Sequence, residues 1–167
     1  TIPYQASKLQ TDILDAVICY LAAGIEPEKS IIFVQSQIKE HSELAWLLGT
    51  VTPAGDLLRM TQYKEKSKQF KGKVRACILN YPILMAADIF LYKAELVPVG
   101  QDQKQHVELA RTIAIRFNKQ FGKTFPEPYA QLLKMGAKIM AFNNPKKKMS
   151  KSMPESCLFV FDEPEVL

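Results

Sequence analysis

Residues 95–103 read Glu95-Leu96-Val97-Pro98-Val99-Gly100-Gln101-Asp102-Gln103, a short apolar run, a glycine and a polar opening to a helix. A buried strand that ends in a tight turn and feeds a helix is the repeating unit of parallel α/β sheets. Such sheets bind ligands at the carboxyl ends of their strands and at helix N-termini. Two readings of the turn stay open. Gly100 allows a nucleotide ribose to approach the backbone closely, with Asp102 and Gln103 as polar contacts at the mouth of a pocket. Equally, Gly100 makes the turn and Asp102 caps the helix predicted from Gln103 to about 117. Pro98 has no N–H to give a ladder, so it marks a strand end or an edge.

Upstream, Leu9, Ile13, Leu14, Val17, Tyr20 and Leu21 recur at helical spacing and predict a helix over 7–23, with Ser7 as N-cap and Gly24 as its stop. The β-branched run 30–34 predicts a strand buried on both faces of a parallel sheet. Helical patterns follow over 42–48 and 56–63, separated by Gly49 and the breaker at 53–55, and polar 64–69 reads as a loop or exposed helix end. Residues 73–92 predict a long apolar helix that Pro82 should kink or divide. Downstream, 118–135 reads as irregular, 136–142 as a short strand and 157–161 as a final one. Helices alternating with buried strands imply an α/β three-layer fold.

The length of 167 residues suits one domain with a substantial core. A net charge of +5 suits phosphate-bearing ligands or RNA without selecting either. Cys19, Cys77 and Cys157 are far apart in apolar stretches, which implies free thiols in a reducing compartment rather than a metal site or a disulfide framework. With no signal peptide and no apolar run long enough to span a bilayer, a cytoplasmic location is expected. Both ends read as cuts through a longer protein, because Thr1 is not an initiator Met and 162–167 reads as the cap and first turn of a helix.

Two further segments carry chemistry. Lys146-Lys147-Lys148-Met149-Ser150-Lys151-Ser152 sets four lysines among small hydroxyls, with ammonium groups to pair with phosphate oxygens and hydroxyl and backbone donors to orient them. A solvated basic loop has the same composition. In 80–89, Tyr81, Met85 and Asp88 fall at i, i+4 and i+7 and share a helix face. A carboxylate there needs a partner. It has an internal one, such as a backbone amide or an arginine, or it accepts a ligand N–H in a mostly apolar pocket. His106 reads as a satisfied histidine rather than a catalytic base, and His41 lies in a polar stretch without a pattern.

Taken together, these blocks resemble the bacterial-type tryptophanyl-tRNA synthetases, a family of class I aminoacyl-tRNA synthetases, close to end to end. Segments 22–27, 33–36, 59–67, 81–91, 97–108 and 148–152 follow that family's order. The Lys-Met-Ser-Lys-Ser string at 148–152 resembles the mobile ATP-binding loop of the class. The Met-Ala-Ala-Asp and Val-Pro-Val-Gly-x-Asp-Gln-Lys-Gln-His blocks favour tryptophan over the sister tyrosine enzymes. The resemblance implies a Rossmann-like three-layer parallel sheet, incomplete because its first strand is missing, with a helical insertion at about 38–72. All of 1–167 would be part of the catalytic domain, without the C-terminal anticodon-binding domain.

Roles follow from the resemblance residue by residue. Asp88 would accept the indole N–H of tryptophan, Tyr81 and Gln103 would hold its α-amino group, and Met85, Val97 and Val99 would wall the ring. Gly100, Gln101, Asp102 and Ile139 would contact the adenosine of ATP. Lys148, Met149, Ser150, Lys151 and Ser152 would bind the rest of it, the lysines and hydroxyls holding its phosphates, and Lys66 would assist the departing pyrophosphate. The implied partners are tryptophan, ATP with Mg2+, tRNA(Trp) and a second subunit, with no membrane. The chain departs from the pattern at Met153 and Gln101, where acidic residues are common. It also lacks the first strand and its Gly-rich, His-x-Gly-His-like motif, so this stretch alone is expected to be inactive. A tyrosyl-tRNA synthetase relative and a non-catalytic nucleotide- or RNA-binding module are the other readings.

Overall fold

Apolar residues recur at the helical period through most of the chain, and the elements follow them. The computed structural model describes residues 5–70, 73–132, 139–149 and 154–160. The chain divides into two units, one through Phe33–Leu132 and one joining Lys8–Ile32 to the described residues from 139 onward. The second unit opens with α1 (Leu9–Ala22). The first holds α2 (Glu40–Gly49), α3 (Ala54–Arg59), α4 (Thr61–Gln69), α5 (Ala76–Phe90), β1 (Leu96–Val99), α6 (Lys104–Phe121) and β2 (Tyr129–Leu132). The second closes with β3 (Met140–Ala141) and β4 (Asn144–Lys148).

The core of the first unit joins Leu48, Leu57 and Met60 to Ile83, Ala86, Ala87, Ile89 and Phe90 of α5 and to Leu109, Ala110, Ile113 and Ala114 of α6. Ala86, Ala87, Ala110 and Ala114 are fully buried, and such small side chains let helices approach closely. Phe90 stacks on Phe125 at 4.8 Å between ring centroids. Burying a Phe of that kind stabilises by about 1.5–3 kcal/mol. Pro82 lies inside α5, and the helix continues through it instead of dividing. The proline forfeits one ladder bond and clashes with the preceding turn, a cost of about 3 kcal/mol. Its ring is itself fully buried, so packing offsets that cost.

β1 pairs with β2 in parallel, from Leu96 opposite Tyr129 to Val99 opposite Leu132. The α/β class is as expected, but β1 is not buried on both faces. Leu96 and Pro98 are exposed while Val97 and Val99 are half-buried. Among the described residues β1 pairs only with β2, and Pro98 withholds an amide from any further ladder. β2 lies where irregular chain was expected. The cause is Asn118 near the end of α6, whose Oδ1 accepts from the Thr124 and Phe125 amides at 2.9 and 3.0 Å. Its Nδ2 donates to the Phe125 carbonyl at 2.7 Å, and the fixed turn delivers the chain to β1.

Other expectations need correction. Residues 30–34 form no strand, and Ile31 is 90% exposed. A β-branched run has strand propensity, but among the described residues none pairs with it. Residues 64–69 are helical, the second half of α4, whose first amide donates to Gln105 Oε1 at 3.0 Å. Neither predicted cap acts as one: Ser7 and Asp102 both sit inside 3-10 turns, and the residues flanking α1 and α6, Lys8 and Gln103, make no side-chain cap bond. Gly24 does stop α1, at φ +91.

In the second unit, β3 and β4 form an antiparallel hairpin. Lys146, Lys147 and Lys148 of the lysine segment expected as a loop are therefore strand, with Lys146 and Lys147 exposed on β4. Residues 157–160 form no strand; a backbone bond from the Phe142 amide to the Ser156 carbonyl, 3.1 Å, holds that stretch to the hairpin turn. The rest of the predicted strand over 136–142, and residue 161, lie outside the described residues. Among the described residues no helix is long and apolar enough to cross a membrane.

Candidate active site

One face of α5 presents Tyr81, Met85 and Asp88, each half-buried. The Tyr81 hydroxyl lies 2.5 Å from His106 Nε2 on α6, their rings 5.2 Å apart. The bond ties α5 to the first turn of α6, the turn entered through Gln101, Asp102 and Gln103. Burial raises the Tyr81 hydroxyl above the usual phenol range. Burial also holds the His106 imidazole below its usual value, with the Asp102 carboxylate acting in the opposite direction. A neutral imidazole beside a protonated phenol is therefore the stable pair at neutral pH. His106 is a buried histidine bonded through Nε2, and among the described residues its Nδ1 has no partner.

Asp88 has an internal partner, but neither a backbone amide nor an arginine. Gln35 Nε2 donates to Oδ1 at 2.8 Å, and His41 Nδ1 lies 2.6 Å from the same oxygen. The carboxylate keeps 36% of its side chain exposed while His41 keeps 4%. His41 Nε2 in turn meets the Tyr92 hydroxyl at 2.9 Å. Neither of these two partners of Asp88, nor Tyr92 behind His41, was singled out from the sequence. Gln35 falls in a short block after an apolar run, and His41 pairs with Asp88 across 47 residues, a separation that no local pattern encodes.

Beside α5, Met85 and Val97 pack against the core cluster, and Val99 is half-buried at the end of β1. Gly100 adopts φ −71 and ψ 163, a conformation open to any residue. The backbone there does not itself demand glycine. Gln103 Nε2 donates to Asp102 Oδ2 at 3.2 Å, and Gln62 Nε2 to the Asp102 carbonyl at 2.9 Å. Gln101 is exposed. Lys66 stands on α4, its Nζ 2.9 Å from Gln69 Oε1 and 5.9 Å from the Phe70 ring centroid.

In the second unit, Ile139 is 62% exposed at the start of the hairpin, and the Met149 amide donates to its carbonyl at 3.1 Å. Lys148 ends β4, while Ser150, Lys151 and Ser152 lie outside the described residues. Among the described residues no group of three or more His, Cys, Asp or Glu side chains converges. The described side chains make no cage for magnesium.

The profile of tRNA synthetases class I (W and Y) matches residues 3–167. A tryptophan–tRNA ligase of Caldanaerobacter subterraneus is 48% identical over all of this chain and 51% of its own length. The chain thus spans about half the length of the curated relatives it matches. A tryptophanyl-tRNA synthetase structure from Mycoplasma pneumoniae superposes with a TM-score of 0.90 at 38% identity, over 99% of this chain and 50% of that one. One from Campylobacter jejuni, complexed with ADP and tryptophan, gives 0.85 at 38% identity, over 98% of this chain and 50% of that one.

Proposed function

Because this chain belongs to the class I tRNA synthetases of the tryptophan and tyrosine group, we propose that the protein carrying it activates tryptophan with ATP and transfers it to tRNA(Trp). The observation behind the choice of tryptophan is Asp88. Its Oδ1 is engaged by Gln35 and His41, and among the described residues Oδ2 has no hydrogen-bond partner. A carboxylate with 36% of its side chain exposed, on the helix face that also carries Met85 and Tyr81, suits an indole N–H. A ligand without that donor leaves a desolvated carboxylate unpaired and is rejected strongly. The relatives named tryptophan–tRNA ligases support the same choice over tyrosine.

In this reading Tyr81 and Gln103 hold the substrate's α-amino group, and Met85, Val97 and Val99 flank the ring. Gly100, Gln101, Asp102 and Ile139 serve the adenosine. Lys148, Ser150, Lys151 and Ser152 serve the phosphates, Met149 binds elsewhere on ATP, and Lys66 serves the leaving pyrophosphate. The substrate carboxylate attacks the α-phosphorus, the bond to the bridging oxygen breaks, and pyrophosphate leaves. The tRNA 3′ hydroxyl then attacks the acyl carbon and releases AMP. No side chain forms a covalent intermediate, so catalysis is positioning plus stabilisation of phosphate charge by fixed cations.

The stretch at about 38–72 would be the helical insertion of this domain, and Trp46 and Leu47 on α2, 81% and 56% exposed, suit a subunit interface of a cytoplasmic homodimer. Their exposure argues against core packing as their role. Tryptophan- and tyrosine-dependent pyrophosphate exchange by the whole protein tests the function. Exchange with tryptophan, lost on Asp88→Ala, is expected; tyrosine-dependent exchange that survives the substitution would overturn it.

A further inference from the structure

Both hydrogen bonds to Asp88 fall on one oxygen, and the group that makes the shorter of them is itself held from several sides. His41 is 3% exposed and lies 2.6 Å from Asp88 Oδ1 through Nδ1 and 2.9 Å from the Tyr92 hydroxyl through Nε2. Phe33 stacks on its ring at 5.8 Å and 28°, and Phe33 and Tyr92 lie 5.5 Å apart. A carboxylate turns readily about its last torsion, which changes where its two equivalent oxygens point. An imidazole fixed by packing and by a phenol engages one of them and so fixes the direction in which the other is presented. Gln35, an exposed amide on a 3-10 turn, adds a second donor to the same atom but is less constrained.

We propose that His41, braced by Tyr92, is a positioning residue for tryptophan selection: it pins Asp88 Oδ1 and leaves Oδ2 as the acceptor for the indole N–H. The inference rests on the reading of Asp88 given above. It assigns to His41 no contact with substrate. Its effect appears only in the discrimination between ligands that have the ring N–H and ligands that lack it.

The test is calorimetry on the whole protein with tryptophan and with its isostere carrying sulfur in place of the ring N–H. The native protein is compared with His41→Ala, His41→Asn and Tyr92→Phe, each checked for folding by thermal melting. His41→Ala should weaken tryptophan roughly tenfold or more and leave the isostere within about twofold, so discrimination collapses. His41→Asn, whose amide can donate to the same oxygen, should recover part of it. Tyr92→Phe should shift discrimination the same way by less, and it serves alone if the alanine variant fails to fold. Equal losses for both ligands would reduce His41 to a structural role and overturn the inference, as would unchanged discrimination in the folded variants. A native protein that binds neither ligand, or both alike, overturns the tryptophan reading itself and this inference with it.

Discussion

Tyr81 on α5 and His106 on α6 share a 2.5 Å hydrogen bond that joins the candidate site to a buried histidine. His106 is 1% exposed, and among the described residues its Nδ1 already lacks a partner. Tyr81→Phe would leave both ring nitrogens unpaired in a dry setting. The expected loss is about 1–3 kcal/mol of unfolding free energy in urea, with an unchanged denaturant slope.

The same histidine gives stability a pH dependence of known sign. Its folded pKa lies below 6.5 because burial disfavours the charged ring. As pH falls past 6.5 the unfolded chain takes up a proton that the native protein refuses. The contribution is therefore complete above that value and is lost as pH falls toward the folded pKa. The native urea midpoint should drop between pH 7 and 5 more steeply than that of His106→Gln, because groups common to both cancel in the comparison.

Asp56 accepts hydrogen bonds from Arg59 within α3 and from Arg116 on α6, and its carboxylate is 10% exposed. Asp56→Ala removes the link between those helices and should cost about 1–2 kcal/mol, since both arginines reach solvent and part of the attraction is screened. The Lys29–Glu26 pair, at 2.6 Å but with side chains 73% and 54% exposed, offers a contrast. Lys29→Ala should alter stability by less than about 0.5 kcal/mol, and less still in high salt.

Helices α1 and α5 end in the same pair of backbone bonds with different residues at the left-handed position. In α1, Ile25 donates to the Tyr20 carbonyl and Gly24 to that of Leu21; in α5, Ala94 donates to Ile89 and Lys93 to Phe90. Gly24 sits at φ +91 and Lys93 at φ +50. A Cβ on Gly24 meets nothing within 4 Å, so Gly24→Ala isolates the conformational cost. Thermal unfolding should show about 1 kcal/mol of loss for Gly24→Ala and a gain of up to about 1 kcal/mol for Lys93→Gly.

Local patterns made the helices legible. The spacing along α1, α5 and α6 and the glycine after α1 are written into neighbouring residues, and those elements stand within a few residues of expectation. What depends on distant partners was not legible. Residues 30–34 have strand propensity but no described neighbour to pair with, whereas 129–132 have little pattern and become a strand because Asn118 steers them to β1. The candidate site divides the same way. Tyr81, Met85 and Asp88 announce a shared face by their spacing, but the groups that occupy Asp88 Oδ1 come from 53 and 47 residues earlier. A carboxylate in an apolar helix says that a partner exists without saying which.

Strand β4 pairs with β3 alone among the described residues, and along it Pro145 withholds an amide while Lys146 and Lys147 stand in solvent. An incoming chain that tried to lengthen this hairpin would meet a missing donor and two ammonium groups to desolvate. A segment rich in cations is thus also a poor template for amyloid-like growth, a safeguard against self-association at high concentration that accompanies whatever those lysines bind.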